Sequence, residues 1–438
     1  MKHIITSGVI AIILSTTCCT TTLSSDSLQS TVEFPPVEKL SVHEGLPDPF
    51  VKPDGSRVTS TKEWPAQRVY LKAMLAHYVY GSMPPRPTDF GLERTMSRLA
   101  FDGLSIHERY AVTLERNGKK LVFHFEFFKP VDSKRRPAII KNCFALFDAD
   151  SKLPNSRKKS LRWDREAAHE AVKRGYLFCK FVRTEVTPDT TKGKREKRGV
   201  LGLYPEYDWA IIAAWAWAQS MVVDALDRLA LVDMEKIVVT GHSRGGKTAL
   251  CTGIYDERIA ITAPNSSGAG GTASMRYFEE GRETGKLDGK PSHQTIATAQ
   301  SGVPNWWNAR WFQFVGKIDR MPFDSHTMKA LIAPRALVNP HGRNDYWANP
   351  YGTELTYRAA DKVFAWLGAK EQQGIHWRDG GHSQGTKDWA ALLDFADWKF
   401  FKKKSGRSFS TLNYPDAKLP IRWDVPPASQ GQQPSAHD

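Results

Sequence analysis

A serine flanked by glycines could act as a nucleophile at two places in this chain. One match to G-x-S-x-G is Gly241-His242-Ser243-Arg244-Gly245, and the other is Gly381-His382-Ser383-Gln384-Gly385. In this pattern the serine occupies a tight strand-to-helix turn, and the glycines leave room for strand and helix to approach closely. The start of the helix adds amide donors and a favourable dipole for developing negative charge. The spacing therefore predicts covalent chemistry by a serine hydroxyl at one of the two positions.

Flanking sequence and chain order favour Ser243 over Ser383. Residues 237–240 are Ile-Val-Val-Thr and read as a buried strand, whereas residues 376–379 are His-Trp-Arg-Asp. In hydrolases built around such an elbow, the acid and then the histidine follow the serine along the chain. After Ser383 the remaining histidine is His437, whereas both kinds of partner follow Ser243.

A serine needs a neighbouring base, and His382 is the expected one. It lies in the Gly380-Gly381-His382 loop, between an expected last strand and the final helix, where the glycines allow the loop to project the imidazole. His376 is the second choice because it lies inside the expected strand. His326 and His341 precede the expected acid, so chain order argues against them.

The base in turn needs an acid that fixes its tautomer and stabilises the imidazolium. Asp345 is the expected acid, because it follows a strand at 336–338 in the loop His341-Gly342-Arg343-Asn344-Asp345. The alternatives for Asp345 are an Asx-turn or a surface ion pair with Arg343.

The elements that would position these residues alternate between strands and helices. Strands are predicted at 138–144, 176–182, 237–240, 259–263 and 336–338, and helices at 64–80, 166–173, 209–229, 247–254, 357–367 and 389–401. A hairpin of strands 110–116 and 121–128 is predicted around Asn117-Gly118. Such alternation is typical of a mostly parallel sheet covered by helices. The expected fold is thus an α/β-hydrolase, a three-layer α/β/α sandwich with long loops around the site.

At these residues the sequence resembles the glucuronoyl esterases, carbohydrate esterase family fifteen. The family's elbow reads G-C-S-R-x-G-K, and here it reads Gly241-His242-Ser243-Arg244-Gly245-Gly246-Lys247, with His242 in place of the usual Cys. Further similar blocks follow in order, namely Asp256-Glu257-Arg258-Ile259-Ala260, Ser267-Gly268-Ala269-Gly270-Gly271, Met321-Pro322-Phe323-Asp324-Ser325-His326, Leu331-Ile332-Ala333-Pro334-Arg335 and Asp345-Tyr346-Trp347-Ala348-Asn349-Pro350. The resemblance covers roughly residues 64–401.

The resemblance implies hydrolysis of esters on glucuronic acid or its 4-O-methyl form. It implies that the Arg244 side chain helps its backbone N–H to stabilise the oxyanion, that Lys247 binds a sugar hydroxyl and that Trp347 stacks on the sugar. Trp306 and Trp307 could line the same cleft or belong to the core. The implied partner is a uronate-bearing polysaccharide such as glucuronoxylan or a lignin–carbohydrate ester, and no metal or organic cofactor is needed.

Two departures from the family pattern concern acidic residues. Many members carry a triad glutamate just before the S-G-x-G-G block, where this chain has Asn265-Ser266-Ser267, which strengthens Asp345 as the acid. A second family glutamate contacts the sugar, and Gln300 is expected in its place. Another polysaccharide esterase on the same fold, such as an acetyl esterase, and a non-catalytic polysaccharide-binding protein therefore stay as alternatives.

Composition narrows the class of protein. Of the 438 residues, 41% are hydrophobic and 25% charged, which is ordinary for a globular protein and argues against disorder. The net charge of +14 favours polyanionic partners, but no nucleic-acid-binding motif accompanies it. We expect no nucleic acid partner, and we expect a monomer.

The two ends of the chain differ from the expected catalytic domain at 61–403. Residues 1–25 read as a signal peptide or lipoprotein signal, because Lys2 precedes an apolar stretch at 4–14 that is too short to span a bilayer. Export is therefore expected, and whether Cys18 or Cys19 is lipidated stays open. Residues 26–60 read as an extended lead-in and 404–438 as a polar, poorly ordered tail. Cys143 and Cys179 are expected as buried thiols, with one bridge between them as the alternative.

Overall fold

A twisted sheet forms the centre of the molecule. The computed structural model describes residues 33–427, except 133, 149–152, 191, 193, 280–285, 288–289 and 292. The strands are β1 (Gly91–Ala100), β2 (Ser105–Arg116), β3 (Lys119–Pro130), β4 (Arg136–Cys143), β5 (Leu177–Val182), β6 (Val232–His242), β7 (Ile259–Asn265), β8 (Lys286–Leu287), β9 (Lys290–Pro291), β10 (Ala336–Gly342) and β11 (Gln373–Arg378). Their order in the main sheet is β1-β2-β3-β5-β4-β6-β7-β10-β11, and β8 and β9 form a separate pair. From β5 to β11 neighbouring strands run parallel, whereas β1, β2, β3 and β5 pair antiparallel.

Helices connect the parallel strands. They are α1 (Trp64–Leu75), α2 (Asn155–Lys173), α3 (Arg183–Val186), α4 (Val200–Leu203), α5 (Ile211–Arg228), α6 (Arg244–Tyr255), α7 (Ile296–Gly302), α8 (Ser325–Ala330), α9 (Pro350–Trp366) and α10 (Thr386–Phe401). Short 3-10 segments occur at Val37–Lys39, Thr61–Glu63, Arg195–Lys197, Ala309–Phe314, Ile318–Arg320, Tyr346–Ala348 and Lys370–Gln372.

Two apolar layers cover the sheet because alternate residues of a strand point to opposite faces. On β6, Ile237 and Val239 pack with the layer that contains α5 and α6, whereas Val238 packs with the layer that contains α2 and α10. All three side chains are fully buried. The continuous apolar run at 237–239 is therefore the signature of a strand covered on both faces, and the predicted three-layer α/β/α fold is confirmed.

Local signals in the sequence explain two turns. The predicted hairpin forms with Arg116 opposite Lys119, and Asn117 and Gly118 adopt φ values of 52° and 70°. Both residue types tolerate a positive φ, as a two-residue hairpin turn requires. The helix predicted at 64–80 appears as α1 followed by a π-helical turn at Ala76–Tyr80, and it ends at Gly81 with φ 76°.

The sequence prediction misses several segments of regular structure, and two of them show the physical reason. The first is β1, whose residues are mostly exposed on the antiparallel edge, so apolar alternation does not mark it. The second is the first half of α2, where residues 155–160 are polar or basic and largely exposed. Hydrophobic periodicity identifies an element through its buried face, and both segments lack a clear one.

The segments before and after the catalytic region pack more closely than the sequence suggests. The described residues from Phe34 onward belong to one unit. Val37 and Phe50 of the expected lead-in are fully buried. In the expected tail, Ile421 bridges to Leu46, and Trp423 donates a hydrogen bond from Nε1 to the carbonyl of Leu46 at 2.9 Å. The expectation of a poorly ordered tail is thus wrong for residues 404–427, because apolar side chains spaced along a polar sequence anchor it.

The remaining expectations about the two ends fall on residues that are not described. The signal at 1–25, with Cys18 and Cys19, lies outside the described residues, as does the end of the tail at 428–438. Within the described residues no helix is long and apolar enough to cross a membrane. Cys143, Cys179 and Cys251 are buried free thiols, so the alternative of a bridge between Cys143 and Cys179 does not hold.

Candidate active site

Ser243 occupies the turn between β6 and α6 in a conformation that side chains rarely adopt. Its φ is 57° and its ψ is −120°. The turn is tight, since a Cβ added at Gly241 would lie 2.3 Å from the carbonyl oxygen of Gly245. A Cβ added at Gly245 would lie 2.5 Å from Asn142 Oδ1. The two glycines of the motif are therefore required by close packing around the serine.

Asn142, at the end of β4, fastens this turn. Its Nδ2 donates to the carbonyl oxygen of Gly245 at 2.9 Å and to that of Thr240 at 3.3 Å. The backbone N–H of Ser243 donates to the carbonyl oxygen of Asn265 on β7 at 3.0 Å. The serine is thus held by both strands that flank β6.

His382 and Asp345 meet at the same edge of the sheet. The Nδ1 of His382 lies 2.8 Å from Asp345 Oδ2, although the two residues are 37 positions apart. Asp345 is 2% exposed, whereas the His382 side chain is 34% exposed. Burial raises the pKa of Asp345, but the hydrogen bond with His382 and the nearby His341 lower it more, to about 2. Asp345 is therefore ionised at neutral pH, and Nδ1 of His382 carries the proton that it shares with this carboxylate.

Arg378 holds the loop that carries His382. Its Nη2 donates to the carbonyl oxygens of Gly381 at 2.9 Å and Ser383 at 2.6 Å, one on each side of the histidine. Its Nε donates to Asp388 Oδ2 at 2.6 Å, and Arg378 and Asp388 are both buried. Sequence reasoning missed this clamp, because a strand arginine that bonds loop carbonyls leaves no local pattern.

His242, at the position of the usual family Cys, packs against the candidate base. The His242 and His382 rings are 4.4 Å apart between centroids. The Nδ1 of His242 lies 2.6 Å from Asn265 Oδ1, and the amide of Asn265 donates to the carbonyl of Pro340 at 3.1 Å. Burial and the neighbouring His382 lower the pKa of His242 well below 6.5. His242 is therefore a neutral ring that packs against the candidate base.

Ser266 lies among the residues that replace the family glutamate. It is buried at the end of β7, and its φ is 43°. Its backbone N–H donates to the carbonyl oxygen of Pro340 on β10 at 3.3 Å. The segment has no carboxylate, whereas Asp345, in the loop after β10, offers one to His382.

A cavity of about 590 Å³ opens beside Ser243. It is lined by residues from β4, α2, α3, the elbow and the histidine loop, namely Lys141, Asn142, Cys143, Phe144, Ser156, Arg157, Ser160, Arg183, Thr184, Asp189, His242, Ser243, Arg244 and His382. Ser243, Arg244 and His382 therefore share one concave surface.

Asp189 and Trp306 fix the side chain of Arg244. Arg244 Nη1 forms an ion pair with Asp189 Oδ2, and its guanidinium lies 4.6 Å from the centroid of the Trp306 ring. Trp306 donates from Nε1 to the other oxygen of Asp189 at 2.8 Å. The arginine stays 40% exposed at the mouth of the cleft. Sequence reasoning missed Asp189, whose position shortly after β5 places it at the functional edge of a parallel sheet.

Lys247 lies differently from what the sequence suggests. It is 2% exposed, and its ammonium donates to the carbonyl oxygens of Ser267 and Ala269 and to Gln294 Oε1. Burial and the nearby Arg244 lower its pKa well below 10.5. All three donors of the ammonium are engaged, so Lys247 anchors the loop at 267–269 that follows β7, and its contact with a sugar stays a prediction.

The tryptophans and the glutamine that the sequence predicts as sugar contacts differ in their surroundings. Trp347 is 38% exposed, and its carbonyl accepts from the backbone N–H of Gln294 at 3.1 Å. Trp307 is buried, and a Cβ added at Gly270 would lie 2.6 Å from its ring, so it packs in the core. Gln300 is exposed on α7 and does not line the cavity beside Ser243. Lys247, Trp306 and Trp347 do not line this cavity either, so the cavity does not bring the predicted sugar contacts together. Gln294 is the amide that bonds both Lys247 and the backbone of Trp347.

The alternative histidines have other surroundings, except that His341 lies close enough to Asp345 to lower its pKa. His376 is in β11 beside Phe409, and burial lowers its pKa to about 4. His326 is fully buried, and its Nε2 lies 2.7 Å from the carbonyl oxygen of Pro47. His341 is fully buried in β10.

The chain is similar to known proteins over most of its length. A family model described as glucuronyl esterase, fungi, matches residues 112–368. A 4-O-methyl-glucuronoyl methylesterase of Schizophyllum commune is 27% identical, with 88% of this chain and 91% of the relative covered. A glucuronoyl esterase of carbohydrate esterase family 15 from Caldicellulosiruptor kristjansonii superposes with a TM-score of 0.70 at 29% identity, covering 89% of this chain and 99% of that one.

A bacterial relative extends the comparison. A promiscuous family 15 esterase from a marine bacterial metagenome superposes with a TM-score of 0.69 at 26% identity and covers 82% of this chain and 98% of that one. The match to the family model spans more than half of the 438 residues and includes the elbow and Asp345. On this evidence the chain belongs to the glucuronyl esterase family.

Proposed function

We propose that this protein is a serine esterase that hydrolyses esters of glucuronic or 4-O-methylglucuronic acid. Ser243 is the nucleophile, His382 the general base and Asp345 the acid that orients it. The observation that carries the proposal is the 2.8 Å contact between His382 and a buried, ionised Asp345 at the sheet edge that also carries the elbow. The printed name of the Schizophyllum commune relative supports the substrate class.

The tautomer of His382 determines the first step. Because Nδ1 donates to Asp345, Nε2 has a free lone pair and can take the proton of Ser243 Oγ. Oγ then bonds to the ester carbonyl carbon, and His382 returns the proton to the departing alcohol. Water, activated by the same Nε2, hydrolyses the acyl-enzyme and releases the uronic acid.

The start of α6 stabilises the charge that develops on the carbonyl oxygen. The backbone N–H of Arg244 follows Ser243 directly, and one such donor contributes roughly 3–4 kcal/mol to transition-state stabilisation. The guanidinium of Arg244, which Asp189 holds in place, adds positive charge to the cavity beside Ser243. Trp347 stacks on the sugar ring from the β10 side, as its exposed ring allows.

A substrate comparison tests the proposal. We expect wild-type protein to hydrolyse benzyl glucuronate with a far higher kcat/KM than an aryl acetate, and Ser243→Ala to lose at least about a thousandfold in kcat. Ser383→Ala, which changes the serine of the second motif, should keep the wild-type rate. A preference for the acetate would support the other polysaccharide esterase, and no hydrolysis of either would support a binding protein.

The same proposal includes export of the protein and a natural polysaccharide substrate. A basic, then apolar, start of the chain supports export, and the net charge of +14 suits a polysaccharide that carries uronates, such as glucuronoxylan. Cell fractionation of a host that expresses the full chain should place the activity outside the cytoplasm.

A further inference from the structure

The cavity beside Ser243 contains a buried arginine that the proposed mechanism does not use. Arg183 follows β5, is 8% exposed and lines this cavity. Within the described part of the chain, its side chain has neither a carboxylate at salt-bridge distance nor a hydrogen-bond acceptor, and its Nε is buried without a partner. Leaving a guanidinium buried and unpaired is costly, so a partner from outside the chain is expected.

Trp215 fixes the orientation of this guanidinium. The Trp215 ring lies 5.1 Å from the Arg183 guanidinium carbon, and the indole is itself held by a 3.0 Å hydrogen bond to the carbonyl of Thr187. Burial and the neighbouring Arg244 lower the pKa of Arg183 to about 10, which leaves it charged at neutral pH. Nε of Arg183 is buried, whereas its two Nη groups are not among the buried unpaired atoms, so the Nη groups are the donors that can reach the cavity that Arg183 lines.

The other charges of the cavity leave an excess of positive charge. Asp189 already pairs with Arg244, and Lys141 pairs with Asp164 at 2.5 Å. Arg157 is exposed in the first turn of α2, lies 4.9 Å from the Phe144 ring and has no carboxylate partner among the described residues. The N-terminus of α2 opens on the same cavity through Ser156, and its cap, Pro154, offers no side-chain acceptor. The helix dipole therefore adds to the positive field.

Strand order shows which part of a substrate would reach these groups. Ser243 follows β6, Trp347 follows β10 on one side, and Arg183 follows β5 on the other. If the sugar stacks on Trp347, as in the function proposed above, the ester alcohol extends across Ser243 toward Arg183 and Arg157.

We propose that this cavity is an anion subsite for the leaving alcohol, with Arg183 and Arg157 binding a carboxylate or similar oxyanion that the alcohol carries. The inference rests on the proposed function. The preferred substrate is then a glucuronate ester whose alcohol is itself negatively charged. These charge-assisted bonds form before the alcohol leaves, so they raise kcat/KM for the charged ester.

Two matched esters test the subsite. We expect the kcat/KM of wild-type protein for 4-carboxybenzyl glucuronate to exceed that for benzyl glucuronate by about tenfold at low salt. The ratio of the two constants should fall toward one in Arg183→Met and in Arg157→Met, and about 0.3 M salt should lower it in the wild type. Arg157 is exposed, so its variant keeps the test valid where Arg183→Met fails to fold.

Arg228→Met is the matched control. It removes the same charge from the end of α5, where Arg228 stacks on Phe90, and the ratio should keep its wild-type value. A wild-type ratio near one, or equal ratios in all variants, overturns the anion subsite. Hydrolysis of benzyl glucuronate would still support the esterase in that case. Failure to hydrolyse either ester overturns the esterase itself. Free 4-carboxybenzyl alcohol should inhibit more strongly than benzyl alcohol, and the opposite order would also contradict the subsite.

Discussion

At the scale of single residues, the proposed nucleophile is held in a conformation that suits glycine better than serine. With φ 57° and ψ −120°, Ser243 stores strain on the order of 1–3 kcal/mol. The close approach of Gly241 to Gly245 and the hydrogen bonds of Asn142 fix the turn. The position of the hydroxyl is therefore obtained at the expense of stability.

Replacing Ser243 with glycine should release this strain. We expect Ser243→Gly to have a free energy of unfolding about 1 kcal/mol above that of Ser243→Ala, because glycine adopts positive φ readily and alanine does not. Both variants should be inactive. Urea unfolding measures the difference, and the same pair of changes at Ser383, whose φ is not positive, should give no gain for glycine.

The ionised state of Asp345 predicts how stability depends on pH. Its pKa of about 2 lies below the ordinary value of 3.8, so its stabilising effect is present above about pH 4 and is lost as the pH falls toward 2. The difference in unfolding free energy between wild type and Asp345→Asn should shrink by on the order of 2 kcal/mol over that range. Urea unfolding at several pH values tests this, and a difference that does not vary with pH would contradict the assignment.

At the scale of elements, the sequence indicates which residues follow strands more reliably than how their loops are held. Ser243, Asp345 and His382 could be placed at one sheet edge because each follows a strand in the expected order. The clamp of Arg378 on the His382 loop and the pairing of Asp189 with Arg244 could not be predicted, since both depend on contacts between distant segments. The bonds of Lys247 to the loop at 267–269 could not be predicted for the same reason, and its expected sugar contact stays a prediction.

A single methyl group should disrupt the elbow. We expect Gly241→Ala to lower the free energy of unfolding by more than about 3 kcal/mol, because the new Cβ would lie 2.3 Å from a backbone oxygen that cannot move freely. Gly302→Ala is the control, since a Cβ there meets nothing within 4 Å. Thermal or urea unfolding compares the two variants, and equal stability would mean that the turn is looser than described.

At the scale of the whole molecule, apolar anchors join the first and last described segments to the core. The alternation of strands and helices was enough to predict the α/β sandwich, because a sheet covered on both faces imposes long apolar runs. The packing of Trp423 against Phe50 and Leu46 was not predictable, since isolated apolar residues in a polar segment carry no periodicity.

Substitution of two tryptophans should distinguish a residue that stabilises the fold from one that binds the substrate. Trp423 is 8% exposed, and Trp423→Ala should lower the free energy of unfolding by about 3 kcal/mol without a change in KM at temperatures where the variant is folded. Trp347 is 38% exposed and stacks on the sugar in the proposed function, so Trp347→Ala should raise KM for benzyl glucuronate with little change in stability. Urea unfolding and steady-state kinetics on both variants test the pair, and a stability loss in Trp347→Ala as large as in Trp423→Ala would contradict it.

The most direct test of the catalytic assignment is covalent labelling with a fluorophosphonate, followed by peptide mass spectrometry. The label should appear on Ser243 in the wild type and in Ser383→Ala, be absent from Ser243→Ala and form far more slowly in His382→Ala, because Nε2 of His382 must accept the serine proton. A label on Ser383, or equal labelling rates in wild type and His382→Ala, would contradict the proposed triad.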